Sequence, residues 1–262
     1  MLPTMDDQSS TNRSNEPKIT WREELSDALT SVSALANYLK LSEADLASTT
    51  PEFPVFVPKP FADKIDPNDP NDPILAQVSF SDQELELKDG FSDDPVGDIP
   101  SAVDYGILKK YASRALLLSN PACSVNCRFC FRRNTDYPVL STTQKMEVVE
   151  KIASDESIDE IILSGGDPLM MGDIELTTLL DSFNQLDSIQ RIRIHTRMPV
   201  VLPSRITAEL CAAIQQCSKK VIIVLHCNHP NELDADTKEA LWKLSISGAL
   251  LLNQSVLLKN IN

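Results

Sequence analysis

Basic residues are scarce in this chain. Its 262 residues set 24 Lys and Arg against 38 Asp and Glu, a formal net charge of −14. Unspecific nucleic-acid binding rests on neutralising phosphates, so the charge argues against that class, while a protein partner with a basic face stays open. No stretch approaches the ~20 apolar residues that a membrane span needs. The opening MLPTMDDQSSTNRSNEPK lacks the apolar core of a secretory signal, so a cytoplasmic, non-membrane protein is expected. Cysteines stay reduced in that compartment, and clustered ones then point to metal or chemistry rather than disulfides. Glycine is scarce too, seven in all, with no dinucleotide-binding pattern among them.

What is present is an ordinary globular composition, 42% apolar and 24% charged. Residues 1–18 are polar and aperiodic and are expected to be disordered. From Thr20 the pattern turns helical: Trp21, Leu25, Leu29, Val32, Leu35 and Leu39 fall at helical spacing, and Thr20 with Glu23 forms a capping-box signature. The repeat DPNDPNDP (66–73) reads as turns, and 80–104 as acidic and turn-rich. Beyond Tyr111 apolar strands alternate with helices. Strands are expected at 114–120, 160–166, 192–197, 221–227 and 249–258, and helices at 142–154, 173–186, 207–217 and 235–248. This alternation argues for an α/β fold with a parallel sheet, barrel-like or a partial barrel.

In such a sheet, site residues gather at the C-terminal strand ends. The chain obeys. SGGDP (164–168), HTRMP (195–199), HCNHP (226–230) and NQS (253–255) each sit at a strand end, and all three histidines, His195, His226 and His229, lie there. After the first strand comes PACSVNCRFCFRR, with Cys123, Cys127 and Cys130 spaced C-x3-C-x2-C. Three thiolates suit three corners of a [4Fe–4S] cluster with one iron left open. The bland alternative is zinc held by the three cysteines and His226 or His229, a binding protein rather than an enzyme. Adjacent glycines at 165 and 166 let backbone approach a ligand, or merely make a tight turn. Asp167 can accept from an ammonium group. Cys211 and Cys217 read as core, and Cys227 as rim or core.

The cysteine spacing resembles that of the radical S-adenosylmethionine superfamily. The blocks YASRALLLSNPACSVNCRFCFRR, EIILSGGDPL, RIRIHTRMPVVLPSRIT, LHCNHPNE and LLNQSVLLK together resemble the lysine 2,3-aminomutase family. With ITWREEL, FVPKPFADKI and DPNDPILAQV they look most like its branch that makes (R)-β-lysine for elongation factor P. The resemblance implies three regions: a disordered 1–18, a helical and turn-rich extension at 19–110, and a radical S-adenosylmethionine partial barrel at 111–262. It implies that Cys123, Cys127 and Cys130 ligate the cluster and that Phe129 lies near the adenine of S-adenosylmethionine. Ser164, Gly165, Gly166 and Asp167 would hold the methionine moiety. Reductive cleavage would give a 5′-deoxyadenosyl radical, and the amino group of L-lysine would migrate from C2 to C3 as an imine of pyridoxal 5′-phosphate. Arg132 would grip the substrate carboxylate. Tyr111 and Arg114 would contact pyridoxal phosphate, Arg197 would hold an anion, and His226 and Gln254 would lie near the cofactors. A catabolic lysine or other amino-acid 2,3-aminomutase is the alternative.

Two departures from the family pattern stand out. The run RRNTDYP lacks the histidine and phenylalanine usual after the cysteines. The family also continues past a fifth strand, where a sixth strand, the Schiff-base lysine and the acids that read the substrate ammonium are expected. Lys259 follows the fifth strand, where the family usually has arginine, and is not nominated as that lysine. The chain is therefore expected to be truncated after the fifth strand and to be inactive by itself.

Overall fold

The computed structural model describes residues 20–46, 53–81, 84, 86, 89–134 and 138–262. The expected disordered tail at 1–18 lies outside the described residues. Helix α1 (Trp21–Ser26) opens with the foreseen capping box: Glu23 N donates to Thr20 Oγ1 at 3.3 Å and Thr20 N to Glu23 Oε2 at 2.7 Å. The single helical stretch expected from Thr20 is instead two helices. Ser31 takes an extended conformation and caps α2 (Val32–Leu39), and Leu29 between them forms an antiparallel bridge with Val57. Short helices α3 (Glu43–Leu46), α4 (Lys59–Ala62) and α5 (Leu75–Val78) follow. The DPNDPNDP repeat does form turns. Asp66 Oδ1 accepts from Asn68 N and Asp69 Oδ1 from Asn71 N, both at 2.9 Å, and Asp72 Oδ1 receives the N–H groups of Ile74 and Leu75.

The sheet has seven strands in chain order: β1 (Ala102–Asp104), β2 (Ile107–Tyr111), β3 (Arg114–Asn120), β4 (Glu160–Gly165), β5 (Arg191–Thr196), β6 (Lys220–His226) and β7 (Leu250–Gln254). β1, β2 and β3 pair antiparallel, and β3 to β7 pair parallel, so the sheet is mixed and open, with β1 and β7 as its edges. The five parallel strands are those read from sequence, although β7 is shorter than 249–258. The β1–β2 pair was not foreseen, because β1 is exposed throughout and carries no burial alternation. Helices α6 (Thr142–Ala153), α7 (Asp173–Asn184), α9 (Ala208–Gln216) and α10 (Ala235–Ile246) fill the crossovers, with a short α8 (Met198–Val201) after β5. α6 packs on α7, α7 on α9 and α9 on α10. The architecture is an α/β partial (β/α) barrel preceded by a helical region. Among the described residues no helix is long and apolar enough to cross a membrane.

Strand parity decides which residues meet the helices. Ile161, Leu163, Ile192, Ile194, Val221 and Ile223 join the core under the helical layer. The opposite parity faces inward, apolar in mid-strand at Ile162, Ile222 and Val224 and polar at the strand ends. At the N-terminal strand ends Glu160, 1% exposed, accepts from Arg191 Nε at 3.0 Å and Arg193 Nε at 2.8 Å, which makes a charged floor. At the C-terminal ends the same face carries Ser164, His195, His226 and Gln254.

Candidate active site

Above that floor lies a cavity of about 990 Å³, at the upper end of ordinary ligand sites. Of the residues singled out from sequence for a site, all but His229 line it. The loop after β3 brings Cys123, Cys127, Phe129, Cys130 and Arg132, and the β2–β3 hairpin brings Tyr111 and Arg114. The end of β4 brings Ser164, Gly165, Gly166 and Asp167, and the later strand ends bring Arg197, His226 and Gln254. His195 lines it as well. His229 instead turns to its own backbone, where Nδ1 accepts from Asn231 N at 3.2 Å.

The cysteine loop has no regular secondary structure, so its backbone groups need outside partners. The N-terminal region supplies them. Asn126 N donates to Phe56 O at 3.0 Å and Arg128 N to Gln77 O at 2.9 Å. The Arg128 guanidinium forks onto Glu84 at 2.9 and 2.6 Å and reaches Phe53 O at 2.8 Å. Burial works against the Glu84 charge, but Arg128 and Arg133 outweigh it and hold the carboxyl below its ordinary pKa. Burial pushes the Cys123 thiol well above the usual range, and the Cys130 thiol upward too. Among the described residues, no three His, Cys, Asp or Glu converge as a set able to hold a metal ion. Cys227 is buried in the core, its thiol pushed up to about 11 by burial.

The SGGDP segment is explained first by its neighbours. Gly166 N donates to Asn120 O at 2.7 Å and Asp167 N to Ala122 O at 2.8 Å, which clips the end of β4 to the backbone leading into Cys123. A Cβ on Gly166 would stand 2.4 Å from the carbonyl oxygens of Pro121 and Ala122, and Gly165 has φ +118. The glycines thus admit protein backbone, besides lining the cavity. Asp167 is 4% exposed, and its carboxylate already has four donors. Thr196 Oγ1 and Leu169 N reach Oδ1 at 2.7 and 2.9 Å, and Arg197 N and Met198 N reach Oδ2 at 2.8 and 3.2 Å. It ties β4 to β5, where sequence suggested an acceptor for a ligand ammonium.

Arg132 donates through Nε to Asp98 at 2.9 Å and through NH1 to Ser164 Oγ at 3.0 Å. Asp98 also holds Lys110 at 2.7 Å. Arg114 stacks over Tyr111, 66% exposed, at 5.6 Å. Phe129 meets the His226 ring at 5.3 Å. Burial, with help from nearby arginines, drops His195 and His226 to about 4, so both are neutral at pH 7. Ser124 Oγ, His195 Nε2, Arg197 Nε and His226 Nε2 are buried with no hydrogen-bond partner among the described residues, and all four belong to residues lining this cavity. Native proteins rarely leave such groups unpaired, so this cluster marks where a polar ligand belongs. Soft thiols, neutral imidazoles and an arginine fork fit an iron–sulfur cluster with an amino-acid-bearing ligand.

Sequence reading missed Asp98, Lys110, Ser124, Gln77 and Glu232. Ser124 sits within the cysteine motif and was within reach. Gln77 and Glu232 lie in the quoted blocks DPNDPILAQV and LHCNHPNE, but nothing local distinguishes them.

Residues 117–242 match the model of the radical SAM superfamily. An L-lysine 2,3-aminomutase of Haemophilus influenzae is 40% identical over 247 residues, covering 92% of this chain and 73% of that protein. One of Escherichia coli K12 is 39% identical, over 92% of this chain and 72% of its own length. One of Clostridium subterminale is 31% identical, over 92% and 59%.

Proposed function

The chain belongs to the lysine 2,3-aminomutase family of the radical SAM superfamily, and on that premise we propose that it serves an isomerase that moves the α-amino group of an amino acid, lysine first, to the β carbon. Four unpaired buried polar atoms beside three cysteines in one cavity carry the reading. Cys123, Cys127 and Cys130 would hold a [4Fe–4S] cluster, and Ser164, Gly165, Gly166, His226 and Gln254 would hold S-adenosylmethionine beside it. Tyr111 and Arg114 would meet the phosphate of pyridoxal phosphate. Together these groups supply radical generation and a conjugated system that spreads unpaired spin.

The chain's own residues bind and orient. A guanidinium fork matches a carboxylate, so Arg132 takes the substrate's, with Asp98 and Ser164 fixing its plane. His195 and His226 stay neutral, so neither adds charge repelling a substrate ammonium. The Phe129 ring against His226 forms an apolar wall that keeps water from the reacting carbons. The narrower proposal, (R)-β-lysine destined for elongation factor P, rests on the resemblance of the quoted blocks, and chiral analysis of the product tests it.

The first test is electron paramagnetic resonance of the anaerobically reconstituted, dithionite-reduced chain. A reduced [4Fe–4S] signal that changes on adding S-adenosylmethionine is expected. Stoichiometric zinc and no cluster would overturn the reading in favour of a zinc-stabilised binding protein.

A further inference from the structure

On the reading that the three cysteines carry an iron–sulfur cluster, we propose that Arg197 is the positioning residue that sets the cluster's reduction potential through Cys127, and that Gln77 and Glu232 lock it there.

Arg197 is 5% exposed and follows β5. Its NH1 donates to Cys127 Sγ at 2.8 Å. Its NH2 donates to Gln77 Oε1 at 2.6 Å and to Glu232 Oε2 at 3.0 Å. Phe61 and Phe129 flank the guanidinium at 5.0 and 5.5 Å. The anchors are themselves fixed. Gln77 and Glu232 are 0% exposed, and Gln77 Nε2 donates to Glu232 Oε1 at 3.0 Å. Asn228 Nδ2 gives Gln77 Oε1 a second donor at 2.8 Å. A planar fork held on one side by an amide and a carboxylate, and walled by two rings, has one direction left for NH1, toward the sulfur.

Such a placement has an electronic consequence. An N–H donor and positive charge beside a cluster sulfur stabilise the more negative, reduced state, and so raise the potential. Glu232 partly balances that charge and works the other way. The electron itself comes from an external one-electron donor, dithionite below, and converts the oxidised cluster to its one-electron-reduced form. Gln77 belongs to α5, so the N-terminal region both braces the cysteine loop and aims the donor.

Redox titration followed by electron paramagnetic resonance tests this. Arg197→Met keeps bulk and removes the donor. The reduced-to-oxidised ratio at a fixed poise should fall about tenfold, roughly 59 mV for one electron. Glu232→Gln keeps an oxygen for Gln77, Asn228 and His229 and removes the opposing charge, while Gln77 Oε1 still holds Arg197 NH2, so the potential should rise. Gln77→Leu should lower it by less than Arg197→Met. Opposite signs for the Arg197 and Glu232 variants support the assignment, because mere loosening would not separate them. Potentials equal to wild type, or shifts of one sign, overturn it while leaving the family reading intact. Wild-type chain that takes zinc and no cluster overturns both. Should Arg197→Met not fold, the direction of the Glu232→Gln shift decides.

Discussion

Gly166→Ala tests how tightly the end of β4 is fitted to the cysteine loop. The new Cβ would lie 2.4 Å from two carbonyl oxygens, those of Pro121 and Ala122, where ordinary contact begins at 3.4 Å. The overlap of about 1 Å falls on backbone, which no rotamer change relieves. Overpacking of this kind costs about 1–3 kcal/mol. Relief requires parting the segments and weakening the Gly166–Asn120 and Asp167–Ala122 bonds, worth about 1 kcal/mol each. A loss of about 3 kcal/mol follows, a large share of the ~5–15 kcal/mol that holds a domain. In urea the midpoint should drop by about 1 M. Gly248→Ala is the control: φ is +92, but nothing lies within 4 Å, so only backbone strain of about 1–3 kcal/mol applies. Gly166→Ala should also lower iron loading, since relief moves the two residues before Cys123, whereas Gly248→Ala should not. A Gly166→Ala chain with an unchanged midpoint and full iron loading would refute the close-approach reasoning.

The buried histidines make stability fall in mild acid. His195 and His226 titrate at about 4 when folded and near 6.5 when unfolded. The unfolded chain therefore takes up protons first, and stability is full above about pH 6.5 and lost progressively toward pH 4. Each contributes at most about 3 kcal/mol, less for residual solvent contact, so urea midpoints should fall between pH 7 and 5, and a flat profile would contradict the burial. Arg132→Gln should weaken binding of L-lysine to the cofactor-loaded chain about 10–100-fold in isothermal titration calorimetry, with Asp98→Asn milder; an unaltered affinity would move the carboxylate site elsewhere. Arg205 is 0% exposed and donates to Leu169 O, Met171 O and Asp173. Arg205→Met takes the donor from the Leu169 and Met171 carbonyls and leaves Asp173 with Thr207 Oγ1, and should cost about 3 kcal/mol in thermal unfolding, with no change beyond about 1 kcal/mol counting against it.

The parallel strands were legible because they are apolar runs, or in β5 an apolar alternation, with polar residues at the C-terminal end, and parallel topology sends all those ends to one rim. The same logic failed where a local pattern had two solutions. Leu29 fits a 3.6-residue period, yet Ser31 caps a new helix, and Leu29 pairs with Val57 instead. Gly165 and Gly166 were marked as letting backbone approach a ligand, and a sequence cannot say that the chain's own backbone comes that close. Asp167 shows the limit most sharply. A carboxylate at a strand end suits a ligand ammonium, and only the fold reveals that four protein donors reach it first.

Residues that do chemistry are constrained by type, since only certain side chains bind iron or a carboxylate, and type is visible in sequence. Residues that hold them are constrained by place. Gln77 meets Arg197 across 120 positions, Asn228 across 151 and Glu232 across 155. No window of 10 or 20 residues contains such a relation, and a glutamine after "LA" has no signature of its own. Its necessity arises only once α5, β5 and the segment after β6 converge, where a buried guanidinium would otherwise face apolar surroundings with a carboxylate alone. The residues that hold Arg197 in place are therefore the ones that sequence conceals, and one of the three, Gln77, lies in the N-terminal region, unremarkable by composition.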